Sequence, residues 1–193
     1  VSDVLARRGL APRWLLASLL VALCAGAVLL LMGRVPICPC GYVKLWHGEV
    51  VSSENSQHLS DWYSPSHLIH GLLFYGALHL LLRRCPLGLR LFLATLIEAA
   101  WEIAENTDAV IGRYREATIA LDYYGDSVVN SLSDIGFMML GFWLASRLPV
   151  WASVLIAVAF ETLTTWLIRD GLALNVLMLV YPLDTVRQWQ GGA

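Results

Sequence analysis

The chain is predicted to be all-α: an integral membrane bundle of about six transmembrane helices, with its N- and C-termini cytoplasmic. Three observations predict it. The 193 residues are 58% hydrophobic and 15% charged, with a mean hydropathy of +0.62, whereas an ordinary soluble domain carries ~25% charged residues. Apolar stretches approaching the ~20 residues needed to cross a bilayer recur along the chain. Basic residues gather at alternate ends of those stretches. The same composition argues against a disordered chain, a basic nucleic-acid-binding domain and an ordinary water-soluble enzyme.

The first span covers residues 14–32, holds no charge, and follows Arg7, Arg8 and Arg13. Its flank looks like a signal peptide, but the apolar run exceeds the ~7–15 residues of a signal core. Leu23 before Cys24 does not suit a lipid-attachment site, and only Ala25-Gly26-Ala27 argues for cleavage, so the segment is read as retained. The second span, 66–82, is closed by Arg83, Arg84 and Pro86. The third covers 90–107, and the fourth covers 125–146 and ends before Arg147 and Pro149. The fifth, 150–168, ends at Arg169 and Asp170. The sixth, 171–183, is short, so tilting, local bilayer thinning and failure to cross all stay open. No repeat or second domain is visible, so residues 1–193 read as one membrane domain.

Lys and Arg enrich cytoplasmic flanks. With the N-terminus inside, Arg7, Arg8, Arg13, Arg83, Arg84, Arg90, Arg147 and Arg187 lie inside, against Arg34, Lys44, Arg113, Arg115 and Arg169 outside. Trp14, Trp62, Trp151, Trp166 and Trp189 fall near span ends, where interfacial Trp belongs. Two outer segments result, 33–65 and 108–124, and the first is expected to fold over the site described next.

Acids inside the spans are the informative residues. Glu98, Glu102 and Glu105, spaced i, i+4, i+7, share one helix face and precede Asn106. Asp126, Asn130 and Asp134 form a second stripe, which Asp122 would extend in a longer helix. His67 and His70 sit on adjacent turns of the second span, with Glu161 in the fifth and Asn175 in the sixth. The topology brings these groups to similar depth in the outer half, with His79 the main exception. Ionised together, Glu98, Glu102, Glu105, Asp134 and Glu161 would cost on the order of 10 kcal/mol. The spans offer no Lys or Arg to pair with them. Protonation, Arg113 and Arg115 folding back, or a divalent metal ion held by His and carboxylates would each relieve that cost, and each implies a polar cavity open to the outer face.

Plain alternatives stand beside each feature. The Glu stripe could be interhelical glue. Asp126 could simply cap its helix. His67, just after Pro65, reads as an interfacial residue, whereas His70 lies a turn deeper and is the candidate acid, base or ligand. Arg113 and Arg115 are either solvated or clamps for an anionic group. Cys38-Pro39-Cys40 reads as a rigid turn, because a Cys-x-Cys disulfide ring is tight; metal binding with His47 and His58 is the other possibility. No phosphate loop, Gly-x-Ser-x-Gly or His-Glu-x-x-His motif is present.

Residues 37–48, 53–58, 67–75, 101–106 and 121–134 resemble uncharacterised protein family 0314, the domain of unknown function 2585, from alpha-proteobacterial inner membranes. That resemblance covers nearly the whole chain and implies a multi-pass membrane protein, with no catalytic residue to carry over. A looser resemblance, in the order His70, Glu102, Arg115, Asp126 and Asn130, is to VanZ-like membrane proteins, and it implies work on the cell envelope.

The expected function is action on a lipid or lipid-linked envelope substrate at an acid-rich site open to the periplasm. His70, Glu102, Asp126 and Asp134 are the catalytic candidates. Arg113, Arg115, Asn106 and Asn130 are the substrate-binding candidates. If a divalent metal is used, His70, Glu102, Glu105 and Asp126 are its candidate ligands. The expected partner is the lipid bilayer rather than nucleic acid. A small transporter with protonatable or cation-binding acids, and a non-catalytic membrane subunit, are the alternatives.

Overall fold

A computed structural model of the chain describes residues 10–118 and 123–192. Arg7, Arg8 and Asp122, used in the sequence reading, lie outside the described residues. Every helix or strand among the described residues is an α-helix, eight in all: α1 (Pro12–Leu31), α2 (Ser64–Leu81), α3 (Leu87–Glu105), α4 (Asp108–Ala117), α5 (Val128–Arg147), α6 (Val150–Ile168), α7 (Leu172–Val180) and α8 (Asp184–Gln190).

Three of them, α1, α5 and α6, are long and apolar enough to cross a membrane. In α6 only Thr164 is buried, and Trp151, Val154, Leu155, Val158 and Trp166 are exposed. Leu16, Leu19, Leu20 and Leu23 of α1 are exposed in the same way. Helices α2 and α3, of 18 and 19 residues, have similar length but carry the histidines and acids. Proline at N1 or N2 opens α1 and α2, where its missing N–H leaves nothing unpaired.

Helix α2 packs on α5, and α1 packs on α3. Leu78, Leu91, Ala94, Met138 and Phe142 fill one end of the bundle. Ala25, Ala99 and Ile135 join α1, α3 and α5, while Leu68, Leu72 and Ala145 join α2 to α5 against Ile156 and Phe160 of α6. Gly88 lets Trp14 approach α3 closely.

The start of α5 differs from the sequence expectation. The helix begins at Val128 and its N-cap is Ser127, whose side chain accepts from the Asn130 N–H. Asp126 is therefore not the cap. The first N–H groups of α5 are met from the long segment between α1 and α2: Val128 donates to Val35 O at 2.9 Å, Val129 to Pro36 O at 3.2 Å, and Ser127 to Ser56 O at 3.0 Å. Orphan donors at a helix start demand such partners. The segment 33–65 thus lies over the start of α5. Cys38 and Cys40 are joined in a disulfide, where the sequence favours a rigid turn without one.

The sixth apolar stretch forms α7, nine residues long. At 1.5 Å per residue it spans ~14 Å, less than half of a hydrocarbon core. The reason is that the chain turns back. Asp170, just before α7, accepts a hydrogen bond from Tyr63 at 3.2 Å, and Leu179, near its end, accepts from Arg113 Nε at 2.9 Å. Both ends of α7 therefore touch the same side of the bundle. Arg169 reaches the Trp189 carbonyl at 2.9 Å and ties α8 to that side as well.

Candidate functional site

Helices α2, α3 and α5 place their polar faces around one cavity of about 250 Å³. His67 is its hub. Its Nδ1 lies 2.7 Å from Glu98 Oε1 and 3.4 Å from Glu102 Oε1, and its Nε2 lies 3.8 Å from Asp134 Oδ2. His70 Nδ1 reaches both Glu98 oxygens at 3.1 Å. One carboxylate thus holds two imidazoles, which orients both rings.

The helical spacing explains the convergence. His67 and His70 stand one turn apart on α2, facing Glu98 and Glu102 one turn apart on α3. The two helices run antiparallel, so each residue meets a partner at its own depth. Asp134, one turn into α5 from Asn130, completes the ring.

A second polar layer lies above. Asn106 exchanges two bonds with Asp126: its Nδ2 donates to Asp126 Oδ2 at 2.8 Å, and the Asp126 N–H donates to Asn106 Oδ1 at 2.7 Å. Gly125 makes this possible. It adopts φ +94°, and a Cβ there would lie 2.6 Å from Arg34 Nη1 and 2.9 Å from Asn106 Oδ1. Tyr123 also donates to Asp126, at 3.0 Å. Asn130 lines the cavity and donates to the His58 carbonyl at 2.8 Å, so it links α5 to the outer segment.

Aromatic hydroxyls and two more groups enclose the top. Tyr114 of α4 donates to Asn175 of α7 at 2.8 Å. Burial raises the Asp170 carboxyl to about 6, in spite of its bonds from Gly171 N–H and Tyr63. Burial likewise raises the Asp61 carboxyl from its ordinary value, although the Tyr63 N–H at 2.7 Å and the Ser56 N–H at 3.1 Å both donate to it. Outside the cavity, Glu54 is held down to about 2 by hydrogen bonds from Lys44, His58 and Tyr42.

The predicted residues are therefore only partly brought together. His70, Glu105, Asp126, Asn130 and Asp134 line the cavity. Glu102 is fully buried behind the His67 ring, and Asn106 is fully buried against Asp126. Arg113 and Arg115 are elsewhere: Arg113 is held by the Leu179 carbonyl, and Arg115 lies 5.1 Å over the Tyr124 ring. Glu161 has a local task, since its carboxylate accepts from the Leu172 and Ala173 N–H groups at 3.0 and 2.7 Å and caps α7. His67 and Glu98 are not among the catalytic candidates, yet they form a 2.7 Å pair at the centre of the site. The i, i+3 spacing of His67 and His70, at the depth of Glu98, was the available signal.

Among the described residues, four groups of side chains are close enough to share a metal ion: His67, His70 and Glu98; His67, Glu102 and Asp134; Glu102, Glu105 and Asp126; and Cys38, Cys40, Glu54 and His58. Of the candidate ligands, Glu102, Glu105 and Asp126 share one set, Glu102 also belongs to a second, and His70 belongs to another.

The fold and site define an all-helical protein with a histidine–carboxylate cavity and, among the described residues, three helices long and apolar enough to cross a membrane. The family model described as "Protein of unknown function (DUF2585)" matches residues 29–192, and the chain belongs to that family. A UPF0314 protein of Paracoccus denitrificans (strain Pd 1222) is 66% identical over 180 residues, which is 93% of this chain and 92% of that protein. One from Sinorhizobium fredii is 63% identical, covering 93% of this chain and 91% of that protein. Another, from Agrobacterium fabrum, is 53% identical, covering 98% and 96%. No solved structure matches the chain.

Proposed function

We propose that this chain is a multi-pass inner-membrane protein that acts on the head group of a lipid or lipid-linked envelope substrate entering from the periplasmic leaflet. The observation that carries this reading is the two-part cavity wall. His67, His70, Glu98, Glu105, Asp126 and Asp134 form its polar part, and Phe74, Ile97, Trp101, Leu172 and Val176 form its apolar part. Ile97 and Val176 are 47% and 49% exposed, so the apolar part continues onto the outer surface of the bundle. Such a wall suits an amphipathic molecule, with the head group among the acids and the chain along the lip.

In this reading α1, α2, α3, α5 and α6 cross the membrane as one domain. Arg13, Arg83, Arg84 and Arg147 lie on the cytoplasmic side. The segment 33–65, α4, α7 and α8 lie on the periplasmic side, which moves the C-terminal helix from the cytoplasmic position expected of six spans.

His70 is the acid–base group. Its Nδ1 proton rests on Glu98, which leaves Nε2 to take or give a proton at the substrate. Asp134 and Asp126, on the opposite wall, are its carboxylate partners, and Asn130 is a polar contact. The described lining contains no Lys or Arg. That favours a neutral or cationic head group such as a sugar, hydroxyl or amine, and leaves Arg113 and Arg115 out of the binding step.

The test is envelope and lipid profiling by mass spectrometry of a deletion strain complemented with wild type or His70→Gln. The expected result is the same accumulated lipid species in the deletion and in His70→Gln, with the variant folded and at normal abundance. A deletion profile identical to wild type, or full complementation by His70→Gln, overturns the reading.

A further inference from the structure

Lone-pair accounting around His67 separates one cluster from the others. His67 Nδ1 lies 2.7 Å from Glu98 Oε1; with an ionised Glu98 as acceptor the proton is assigned to Nδ1, which leaves Nε2 with a lone pair. Nε2 faces Asp134 Oδ2 across 3.8 Å, too far for a hydrogen bond. Glu102 is fully buried, and neither of its oxygens has a hydrogen-bond partner among the described residues. It is nevertheless aimed into the cluster, with Oε1 3.4 Å from the His67 ring. One ligand atom from each of His67, Glu102 and Asp134 lies within 4.8 Å of the others. A tetrahedral ion with ~2.0–2.1 Å bonds holds its ligand atoms ~3.4 Å apart, so the 3.8 Å between His67 Nε2 and Asp134 Oδ2 needs only a small closing movement to meet it.

Each of the three competing clusters has ligand atoms already engaged with protein partners. In His67, His70 and Glu98, both Nδ1 atoms are bonded to the carboxylate. In Glu102, Glu105 and Asp126, the Asp126 oxygens accept from Asn106 and Tyr123. Cys38 and Cys40 are closed in a disulfide, and Glu54 accepts from Lys44 at 2.6 Å.

We infer that His67, Glu102 and Asp134 bind a divalent cation, with His67 ligating through Nε2. Glu98 then plays the outer part that metal-bound histidines commonly have, a carboxylate that fixes the tautomer and ring orientation. One imidazole and two carboxylates suit a zinc- or manganese-type ion. Three protein ligands leave a position open for water or substrate. A water in the cluster would satisfy hydrogen bonds but would not offset the carboxylate charge, and the described lining has no Lys or Arg to do so. This inference goes beyond the lipid reading, since it stands on the ligand geometry alone, and its readout is the ion itself.

The experiment uses the full chain purified in detergent, stripped with a chelator, then loaded with Zn²⁺ or Mn²⁺ and desalted. Metal per chain is measured by mass spectrometry and the unfolding temperature by a thermal melt. The expected result is about one ion per chain, a rise in melting temperature on loading, and weakening of affinity by roughly tenfold or more in both Glu102→Gln and Asp134→Asn. Glu161→Gln, outside the cluster, keeps the ion. If one variant loses its helical circular dichroism, the other variant and the wild-type loading decide. Wild type that retains neither metal ion and shows no thermal shift overturns the inference, as do variants that bind as much metal as wild type. A metal-loaded protein whose deletion leaves the envelope unchanged sinks only the lipid reading; a metal-free protein whose deletion changes the envelope sinks only the cation.

Discussion

Gly71 on α2 and Gly141 on α5 hold the two helices backbone to backbone. A Cβ on Gly71 would overlap the Met138 carbonyl oxygen, and one on Gly141 would overlap the Leu68 carbonyl oxygen. Small residues at a helix crossing permit such close approach. The crossing lies one turn from His67 and two turns from Asp134, so it sets the distance between them.

Gly71→Ala is expected to destabilise the protein by ~1–3 kcal/mol or more, because backbone cannot retreat as a side chain can. Gly76, on the same helix, has open space where its Cβ would be. Gly76→Ala should be neutral or stabilising by ~0.5–1 kcal/mol. Unfolding of the two variants in detergent checks this, and equal melting temperatures would remove the role assigned to the crossing.

The exchange between Asn106 and Asp126 should be visible in stability. Asn106→Ala leaves the buried Asp126 N–H and Oδ2 short of a partner, at a cost of ~1–3 kcal/mol. Tyr123→Phe removes a single bond from the same carboxylate and should cost less, ~1 kcal/mol. Chemical unfolding of both variants reads the order, and a larger loss in Tyr123→Phe would contradict it.

Glu161 is expected to matter for α7 and not for chemistry. Removing the cap with Glu161→Ala should cost ~1 kcal/mol. The Leu172 and Ala173 amides should exchange hydrogen faster, with Glu161→Gln intermediate. Unaltered protection of those two amides would show that the cap is not needed.

Asp170 supplies a pH dependence. Burial raises its carboxyl from 3.8 to about 6 in the folded protein. The folded state therefore binds the proton more tightly than the unfolded chain. Its stabilising contribution is full below the unfolded value and is lost as pH rises through about 6. Asp170→Asn keeps an acceptor for Tyr63 and cannot ionise. Relative to wild type it should gain on the order of 2 kcal/mol between pH 4 and pH 8. A difference in melting temperature that stays constant across that range would exclude Asp170 as the titrating group.

Much of the site was legible because helical periodicity is local. The i, i+4 spacing of Glu98 and Glu102, and of Asn130 and Asp134, defines shared faces without knowledge of any neighbour. His67 was less legible. Pro65 marks a helix start, and a residue just inside a start reads as interfacial; nothing in one dimension reveals that Glu98 and Glu102 of another helix meet its ring. Arg113 and Arg115 were hard to place for a related reason. A basic pair in an outer loop looks available for an anion until a distant carbonyl, that of Leu179, and the Tyr124 ring are seen to occupy it.

The sequence by itself determined the helical class, the apolar helices and the two acid stripes, since hydrophobicity and a 3.6-residue period are properties of consecutive residues. The tertiary structure decided which acids serve the cavity and which serve the scaffold. Glu161 and Glu98 look alike along the chain, yet one caps a returning helix and the other holds two imidazoles. The difference depends on partners contributed by distant parts of the chain, and the energy of a buried carboxylate is set by those partners rather than by its own place in a span.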